Sequence, residues 1–377
     1  MKFLHIADLH IGKSLNQKSL IEDQKYILDQ IIKQMENNDV KVLLLAGDIY
    51  DKQIPSKEAV NLFNDFLFDL IINHKYKVYI ISGNHDSAER LNFGSEIFKH
   101  HNLYIETFAT SPIAKYELFD EYGKINLYML PYSTPLYTRV KFNTDCTTYS
   151  DMIKFYVENT DINFEERNIF LTHHTFLHDN MASFSDSEVR FNIGGTEGID
   201  AAYFDKFDYV GLGHLHNPQY VHAENIRYSG SILKYSESEA SINKVALMVE
   251  LKEKGTTQIS ELPLVPLHDL KKIKGTIEEL LEDPDSIDED YVYVTLTNDT
   301  IISYAMKRIR VKYPNALSLT YERLLKEKSD KILDRGELKE KSIKDQFNDF
   351  YTFINNKELS DNQISILEKI LEKVEEE

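Results

Sequence analysis

The amino-acid sequence predicts an α/β fold for the first two-thirds of the chain. Short continuous apolar segments alternate there with segments whose apolar residues recur at helical spacing. This alternation is typical of folds that combine a largely parallel sheet with flanking helices. In addition, Asp, His or Asn follows five of the apolar segments. Because ligands bind outside the carboxyl ends of strands in open α/β sheets, this second observation also indicates where a site would lie.

The predicted strands are the apolar segments, and the predicted helices lie between them. Residues 42–46 are apolar throughout, as expected of a strand buried on both faces. A helix over residues 20–35 precedes this strand, and another begins near Pro55 and Ser56. Residues expected to face inward from the second helix are Val60, Phe63, Leu67 and Leu70. The other predicted strands are residues 3–7, 78–81, 125–130, 168–172, 209–212 and 244–251.

Composition and charge limit the class of protein. The chain has 377 residues, of which 42% are apolar and 28% charged, enough for two globular domains and a small module. Its formal net charge of −19 argues against a protein that coats nucleic acid by charge alone. Cys146 is the only cysteine, so neither an intrachain disulfide nor a thiolate zinc site can form. Since residues 1–10 lack a targeting signal, we expect a soluble protein of the reducing cytoplasm.

Polar residues at the ends of five predicted strands form the candidate site. They are Asp8 and His10 after the first strand, Asp48 after the second, Asn84, His85 and Asp86 after the third, and His173, His174, His214 and His216 after later strands. Any one of these short motifs is common in turns. All five in this order make chance agreement improbable. We therefore expect the side chains to converge on one crevice.

The residue types point to divalent metal ions. Carboxylate, imidazole and amide donors suit Mn, Mg, Fe or Zn, whereas the lack of thiolates disfavours a structural zinc site. Two-metal sites hold their ions about 3.5–4 Å apart and need a group that bridges them. Asp48 lies on a glycine turn between the other ligand clusters, which is the position expected of a bridge. Such a pair of ions activates a water and offsets the charge that develops in an in-line displacement on phosphorus.

The same motifs resemble those of a known enzyme family, the calcineurin-like metallophosphoesterases. The segments that carry the resemblance are Asp8-Leu9-His10, Gly47-Asp48, Gly83-Asn84-His85-Asp86, the His173 region and Gly213-His214-Leu215-His216. Residues 83–91, 193–196, 207–219 and 228–231 are more narrowly similar to the SbcD family, the nuclease subunits of bacterial SbcCD complexes. The resemblance implies a two-sheet sandwich flanked by helices over residues 1–265.

The resemblance also implies a role for each site residue. One metal ion would be held by Asp8, His10, Asp48 and His216, and a second by Asp48, Asn84, His173 and His214. In the family, the histidine at the position of His85 contacts the scissile phosphate and helps to protonate the leaving oxygen. Asp86 would orient the ring of His85.

Three further residues are interpreted separately. His173 is preferred to His174 as the ligand, because it comes first after the strand and alternation along the strand turns His174 to the other face. Arg90 either contacts DNA or forms an internal ion pair. His5 lies inside the first strand and is predicted to be a core residue with a hydrogen-bond partner.

Beyond residue 265 the pattern changes, and two further parts are predicted. Residues 262–270 contain two prolines and are interpreted as an extended linker. A small α+β domain follows over residues 266–323, with helices 276–281 and 301–313, strands 291–296 and 316–321, and a basic run at 307–312. The resemblance to the SbcD family implies that this domain caps the active site and helps to select the form of DNA admitted. Residues 324–377 form a charged C-terminal helical segment whose apolar residues are Phe347, Phe350, Tyr351, Phe353, Ile354, Ile364, Ile366, Leu367, Ile370, Leu371 and Val374. This segment is too small for a core of its own, so we expect it to dock on a partner rather than on its own domain.

By resemblance, the function is that of a dimetal DNA nuclease, with Mn²⁺ as the expected ion and Mg²⁺ as the alternative. It would act as a double-strand exonuclease and a single-strand or hairpin endonuclease in DNA repair, replication and recombination. The partners implied are DNA and the SbcC ATPase, in a heterotetramer that contains a homodimer of this chain. The alternatives are a small-molecule phosphodiesterase or phosphatase and a catalytically silent scaffold. The capping domain and tail disfavour the first, and the intact motifs disfavour the second.

Overall fold

The computed structural model describes most of the chain. The described residues are 1–177, 185–186, 198–283, 286–323, 347–348, 351–352, 359–360, 363–364 and 366–367. The motif at residues 193–196 and most of the tail, including Phe350, Phe353, Ile354, Ile370, Leu371 and Val374, lie outside the described residues. The chain divides into two compact units, one of Met1–Leu296 with Ile302–Leu319 and the other of Thr297–Ile301 with Thr320–Glu377.

The first sheet has six strands. Four of them run parallel and are, in spatial order, Lys2–Ile6, Val42–Ala46, Lys77–Ile81 and Leu103–Glu106. On the other side of Lys2–Ile6, the strand Lys244–Leu251 pairs antiparallel with it, and Thr257–Leu264 pairs antiparallel with Lys244–Leu251. The predicted antiparallel strand over residues 244–251 is thus confirmed.

The second sheet also has six strands. In spatial order they are Gln219–Val221, Ala223–Tyr228, Tyr209–Gly213, Arg167–His173, Gly123–Leu130 and Ala114–Asp120. The four middle strands run parallel, and the two edge strands pair antiparallel with their neighbours. Two further pairs of two-residue strands are Ser14–Leu15 with Lys18–Ser19 and Phe176–Leu177 with Ile199–Asp200.

The two sheets pack face to face around a buried apolar layer. Side chains alternate along the strands, so Leu44 and Leu171 lie in this inner layer while Leu43 and Phe170 pack on the outer faces. Helices cover both outer faces, namely Ile21–Asn37 and Lys57–Phe68 on the first sheet and Tyr149–Glu158 on the second. This arrangement is the predicted two-sheet sandwich flanked by helices.

The helix that follows the second strand begins as predicted, but one of the residues expected to face inward is exposed to solvent. The Ser56 side chain accepts a hydrogen bond from the Ala59 amide at 3.2 Å and caps the helix. Val60 is 43% exposed, so its predicted inward orientation is wrong. The buried stripe consists of Ala59, Leu62, Phe63 and Phe66. The remaining short helices are Asp69–Asn73, Ala88–Leu91, Ser95–Phe98, Lys99–His101, Pro135–Phe142, Ala201–Phe204, Glu237–Glu239, Ile277–Leu280 and Ala305–Lys312.

A three-stranded sheet follows the sandwich, and it corrects the prediction of a linker. Its strands are Leu270–Gly275, Tyr291–Leu296 and Ala316–Tyr321, and the first two pair in parallel. The predicted linker over residues 262–270 is wrong, since it begins inside the edge strand Thr257–Leu264 and ends at the first residue of Leu270–Gly275. The strand Leu270–Gly275 is difficult to predict from sequence, because its three lysines leave almost no alternation of apolar and polar residues.

In the second unit, the Arg323 guanidinium donates to the Asp299 carbonyl at 3.1 Å and the Gln363 amide donates to the Tyr351 hydroxyl at 2.9 Å. Across the described residues of both units, the helices are too short or too polar to cross a membrane. The domain boundaries at 265/266 and 323/324 stay a prediction.

Candidate metal centre

The candidate site lies where the carboxyl ends of the parallel strands of both sheets meet. Ala46 and Gly213, the last residues of one strand from each sheet, show how close this approach is. A Cβ atom added to Gly213 would lie 1.9 Å from the Ala46 carbonyl oxygen. All seven predicted ligands lie at these strand ends: Asp8, His10, Asp48, Asn84, His173, His214 and His216.

The backbone is strained at four of these residues. Asp8, His10, Asp48 and His214 have positive φ angles of 52°, 42°, 51° and 101°. Side chains other than glycine rarely adopt this conformation, and it tends to cluster at functional sites. It turns the chain sharply at the strand end, so that Asp8 and His10 both reach the same crevice.

The first group of donors consists of Asp8, His10 and His216. One potential ligand atom from each lies within 4.8 Å of the others. His10 Nε2 and His216 Nε2 are 3.0 Å apart and point towards each other. All three side chains are buried.

The second group is built around Asn84 and His173. The Asn84 Oδ1 atom lies 3.0 Å from His173 Nε2 and 3.1 Å from His214 Nδ1. Asp48 Oδ2 is 3.4 Å from His173 Nε2 and 3.6 Å from His10 Nε2, so this carboxylate lies between the two groups, as a bridging ligand must.

Asp8 also lies between the groups. Its carboxylate belongs to two compact trios, one with Asp48 and His173 and the other with His10 and His216 of the first group. The Asp8 Oδ1 atom is 4.0 Å from His173 Nε2. The family resemblance assigned Asp8 to the first ion alone. The geometry places it within reach of both positions.

His173 and His174 point in opposite directions. His173 Nδ1 donates to the Ala46 carbonyl at 2.7 Å, which leaves Nε2 facing Asp48 and Asn84. His174 instead contacts the backbone of Ser133 through Nε2, at 3.1–3.2 Å. His173, which the sequence analysis prefers as the ligand, is therefore the residue of the pair that faces the site.

His85 and Asp86 do not interact as expected. The His85 Nδ1 atom donates to the Asp51 carbonyl at 3.0 Å, so Asp51 orients the ring. The Asp86 carboxylate accepts hydrogen bonds from the amides of Ile49, Tyr50 and Gly83 at 2.8–3.1 Å. The predicted role of Asp86 in orienting the His85 ring is therefore corrected: Asp86 is turned towards the backbone and holds together the two loops that carry Asp48 and Asn84.

Charge is distributed unevenly in the cluster. Burial and the neighbouring His173 lower the pKa of His214 to about 3, and burial lowers the pKa values of His10 and His216 as well. These rings are neutral at pH 7, which is the form that binds metal. Burial also acts on His173, but the Asp48 carboxylate outweighs it and raises the pKa of His173 to about 9.

The donors fit two divalent cations. Two carboxylates, one amide oxygen and four imidazoles converge, a set that suits hard or borderline divalent ions. The residues can therefore hold the metal ions that the sequence predicts.

Other predicted residues lie at the margin of the cluster or away from it. Arg90 is exposed on the short helix Ala88–Leu91 and forms no ion pair with any residue that the structure describes, so internal pairing is not seen. His5 is buried, and its Nδ1 atom lies 2.8 Å from the Tyr209 hydroxyl, as predicted of a core residue.

Sequence reasoning missed two carboxylates beside the cluster. Asp51 forms a third compact trio with His10 and His85, and Glu239 lies 3.4 Å from His216 Nδ1. Asp51 follows Asp48 by three residues and could have been suspected from this spacing. Nothing in the sequence around Glu239 indicates a role, because Glu239 lies 23 residues from the histidine that it contacts.

Two family models match the chain. Residues 1–218 match the model described as calcineurin-like phosphoesterase, and residues 266–354 match SbcD_C, described as type 5 capsule protein repressor C-terminal domain. Among solved structures, the chain is similar to a dimetal phosphatase from Danio rerio at 13% identity and a TM-score of 0.41, covering 70% of this chain and 96% of that chain. It is also similar to a phosphopantetheinyl hydrolase from Mycobacterium tuberculosis, at 12% identity and a TM-score of 0.35 over 61% of this chain and 88% of that chain. A protein of Thermus thermophilus matches at 11% identity and a TM-score of 0.38 over 69% of this chain and 98% of that chain.

Proposed function

The chain belongs to the calcineurin-like phosphoesterase family, and from this premise we propose that it is a dimetal nuclease that hydrolyses phosphodiester bonds of DNA. The observation that carries the proposal is the convergence of seven donor side chains on one crevice between the two sheets. The SbcD_C match at residues 266–354 supports DNA, rather than a small phosphodiester, as the substrate.

The metal-binding roles follow the two groups of donors. The first ion would be held by Asp8, His10, Asp48 and His216, and the second by Asp48, Asn84, His173 and His214, with Mn²⁺ as the proposed ion and Mg²⁺ as the alternative. When bound, such ions supply an activated water and offset the charge on the phosphate oxygens. Asp48 provides the negative charge that lets two cations lie close together.

His85 is proposed as the proton donor to the leaving oxygen. Its Nδ1 proton is committed to the Asp51 carbonyl, so Nε2 is the atom available for proton transfer. The ring centroids of His85 and His10 are 4.8 Å apart, which puts His85 beside the first group of donors. Asp86 acts through the backbone, by fixing the loops on which Asp48 and Asn84 lie. Arg90, exposed on the short helix that follows these loops, is proposed as a DNA contact.

The proposed partner is the SbcC ATPase, with two copies of each chain in the complex. The SbcD_C match extends to residue 354 and so includes part of the charged tail beyond residue 324. This match supports the expectation that the capping domain over 266–323 and the segment over 324–377 serve DNA selection and ATPase docking.

A nuclease assay tests the proposal directly. The substrates are hairpin DNA, linear duplex DNA and a chromogenic phosphodiester, each with Mn²⁺, with Mg²⁺ and with EDTA. We expect cleavage of both DNA substrates with Mn²⁺ and none with EDTA. Cleavage of the chromogenic substrate alone would favour a small-molecule phosphodiesterase, and full metal binding without hydrolysis would favour a scaffold.

Asp48→Asn should abolish hydrolysis and greatly reduce metal occupancy, because a neutral amide cannot offset the repulsion between two cations. Calorimetry with Mn²⁺ and the hairpin assay measure the two effects. Asp65→Asn is the matched control, since Asp65 is exposed on the helix Lys57–Phe68 and the same chemical change there should leave both unaltered. Mn²⁺-dependent cleavage by Asp48→Asn at the wild-type rate would contradict the bridging role.

A further inference from the structure

A buried ion pair lies directly behind one of the metal ligands. Glu239 is fully buried, Lys244 is 5% exposed, and Glu239 Oε2 lies 2.6 Å from Lys244 Nζ. The other carboxylate oxygen, Oε1, lies 3.4 Å from His216 Nδ1. The opposite nitrogen of this ring, Nε2, faces His10 inside the metal cluster. The His216 ring therefore joins a buried carboxylate on one side to the metal centre on the other.

The same pair also holds the backbone of His216. Lys244 Nζ donates to the His216 carbonyl at 2.9 Å and to the Ser231 hydroxyl at 2.9 Å. The Ser231 amide donates to the same His216 carbonyl at 3.1 Å. The Ser236 hydroxyl donates to Glu239 Oε1 at 2.9 Å, which fixes the carboxylate from the other end. Ring and main chain of His216 are thus held by one connected network.

The electrostatics of the pair need an explanation beyond stability. The Glu239 carboxylate accepts hydrogen bonds from Lys244 Nζ at 2.6 Å and from the Ser236 hydroxyl at 2.9 Å, so it lies in a buried site built around a positive charge. A buried ion pair is weak evidence for stability, because apolar residues of similar volume are often at least as stable in its place. A carboxylate behind a metal-binding histidine, by contrast, is a common way to fix the ring and raise its basicity.

We propose that Glu239 is a positioning residue for the first metal ion. Its carboxylate accepts a hydrogen bond from the Nδ1–H group of His216, which selects the tautomer whose Nε2 lone pair points into the cluster. Lys244 keeps the carboxylate in place. The proposal rests on the dimetal site proposed above and adds to it a residue that acts through a ligand.

The test is the affinity of the full chain for Mn²⁺, measured by calorimetry and by counting bound ions with electron paramagnetic resonance. Glu239→Gln should lower the affinity for one ion by about 10–100-fold, the usual effect of losing such a partner, and leave the other ion unchanged. Glu237→Gln is the matched control. Glu237 lies on the same short helix but is exposed and pairs with Lys272 at 3.4 Å on the surface. The Mn²⁺ affinity of the Glu237→Gln variant should therefore stay at the wild-type value.

A double variant separates positioning from folding. Glu239→Gln alone removes the carboxylate that offsets the buried charge of Lys244, which destabilises the protein. Glu239→Gln/Lys244→Met removes both charges, so the melting temperature should recover while the affinity for the first ion stays low. Wild-type affinity in the double variant, or an equal loss in Glu237→Gln, would overturn the proposal. If the wild-type chain binds two Mn²⁺ ions but does not cleave DNA, the proposed function fails while the effect of Glu239→Gln on affinity still supports the positioning role.

Discussion

His85 is the residue whose loss should separate metal binding from chemistry. We expect His85→Ala to bind two Mn²⁺ ions with wild-type affinity but to cleave hairpin DNA about 10²–10⁴-fold more slowly, the usual contribution of a positioned proton donor. Calorimetry and single-turnover cleavage measure the two quantities. Because His85 lies in a compact trio with His10 and Asp51, it could in principle ligate an ion. Loss of one bound ion in His85→Ala would show that it is a ligand and not a proton donor.

His5 should make the stability of the sandwich sensitive to acid. Burial, with a smaller effect of the Arg227 charge, lowers the pKa of His5 to about 3. Between pH 6.5 and 3 the unfolded chain therefore binds a proton at this residue that the folded chain does not. The contribution of His5 to the free energy of unfolding is therefore fully present above pH 6.5. It decreases by about 1.4 kcal/mol for each pH unit as the pH falls.

Replacing His5 should remove this part of the pH dependence. Between about pH 7 and about pH 5, the free energy of unfolding, measured with urea, should decrease in the wild type and in His5→Leu/Tyr209→Phe. We expect the decrease to be about 2 kcal/mol smaller in the double variant. Tyr209→Phe alone is the control, because it removes the hydroxyl that contacts His5 but keeps the titrating ring. An equal pH dependence in the double variant would show that His5 does not titrate in this way.

Which residues gather in the candidate metal centre could be predicted from sequence, but their conformations could not. Asp8, Asp48 and His214 follow apolar strands, and this order is visible in the sequence. Their positive φ angles are not visible, because tertiary contacts impose them against local preference. Glu239 was missed for a related reason: only the fold brings it to His216.

At the scale of elements, the site depends on how closely the strand ends of the two sheets approach. Gly213 ends a strand of the second sheet, and a Cβ atom there would lie 1.9 Å from the Ala46 carbonyl and 2.6 Å from His173 Nδ1. Gly83 allows a similar approach, since its Cβ would lie 2.1 Å from Asp48 Oδ1. Glycine at these positions lets two backbones meet where the proposed metal ligands converge.

Gly213→Ala should therefore damage both stability and metal binding. We expect it to lower the free energy of unfolding by about 1–3 kcal/mol, because backbone atoms must move, and to weaken Mn²⁺ binding by displacing His173. Gly211→Ala on the same strand is the control. Its Cβ would meet the end of the flexible Leu171 side chain at 2.9 Å, which can move at smaller cost. Equal effects of both variants, in urea unfolding and calorimetry, would contradict the importance of close approach at residue 213.

Predicting elements from sequence worked where apolar residues were continuous and failed where lysines interrupted them. The strand Val42–Ala46 is buried at every position and has the bounds that the sequence predicts. The strand Leu270–Gly275 buries only its two ends, and its exposed lysines concealed it within the supposed linker and the residues after it. This strand is stabilised by parallel pairing with Tyr291–Leu296, and pairing between distant strands cannot be predicted from the local sequence.

At the scale of the whole molecule, net charge conflicts with the proposed substrate. The chain carries 62 acidic and 43 basic residues, so long-range forces repel DNA. The basic run on the helix Ala305–Lys312 is a local source of positive charge, with Lys307, Arg308, Arg310 and Lys312, but it is short. Attraction for DNA must then come from bound metal ions, from local basic residues such as these, and from a partner chain.

The chain alone should therefore bind DNA weakly and with little dependence on salt. We expect the logarithm of its DNA affinity to fall with the logarithm of salt concentration with a slope no steeper than about −3, which corresponds to about three phosphate contacts. If SbcC is the partner, as proposed, its addition should raise the affinity and steepen the slope, because the complex would then supply positive charge that this chain lacks. Fluorescence anisotropy on a labelled duplex measures both slopes with His85→Ala, which should keep both metal ions but cleave too slowly to degrade the duplex during the measurement. A chain that ends at residue 335 is the control: if the tail docks the ATPase, this shortened chain should keep the shallow slope when SbcC is added. A steep slope for the full chain alone would reveal a basic surface on this protein, and a steep slope for the shortened chain with SbcC would place the docking site before residue 335.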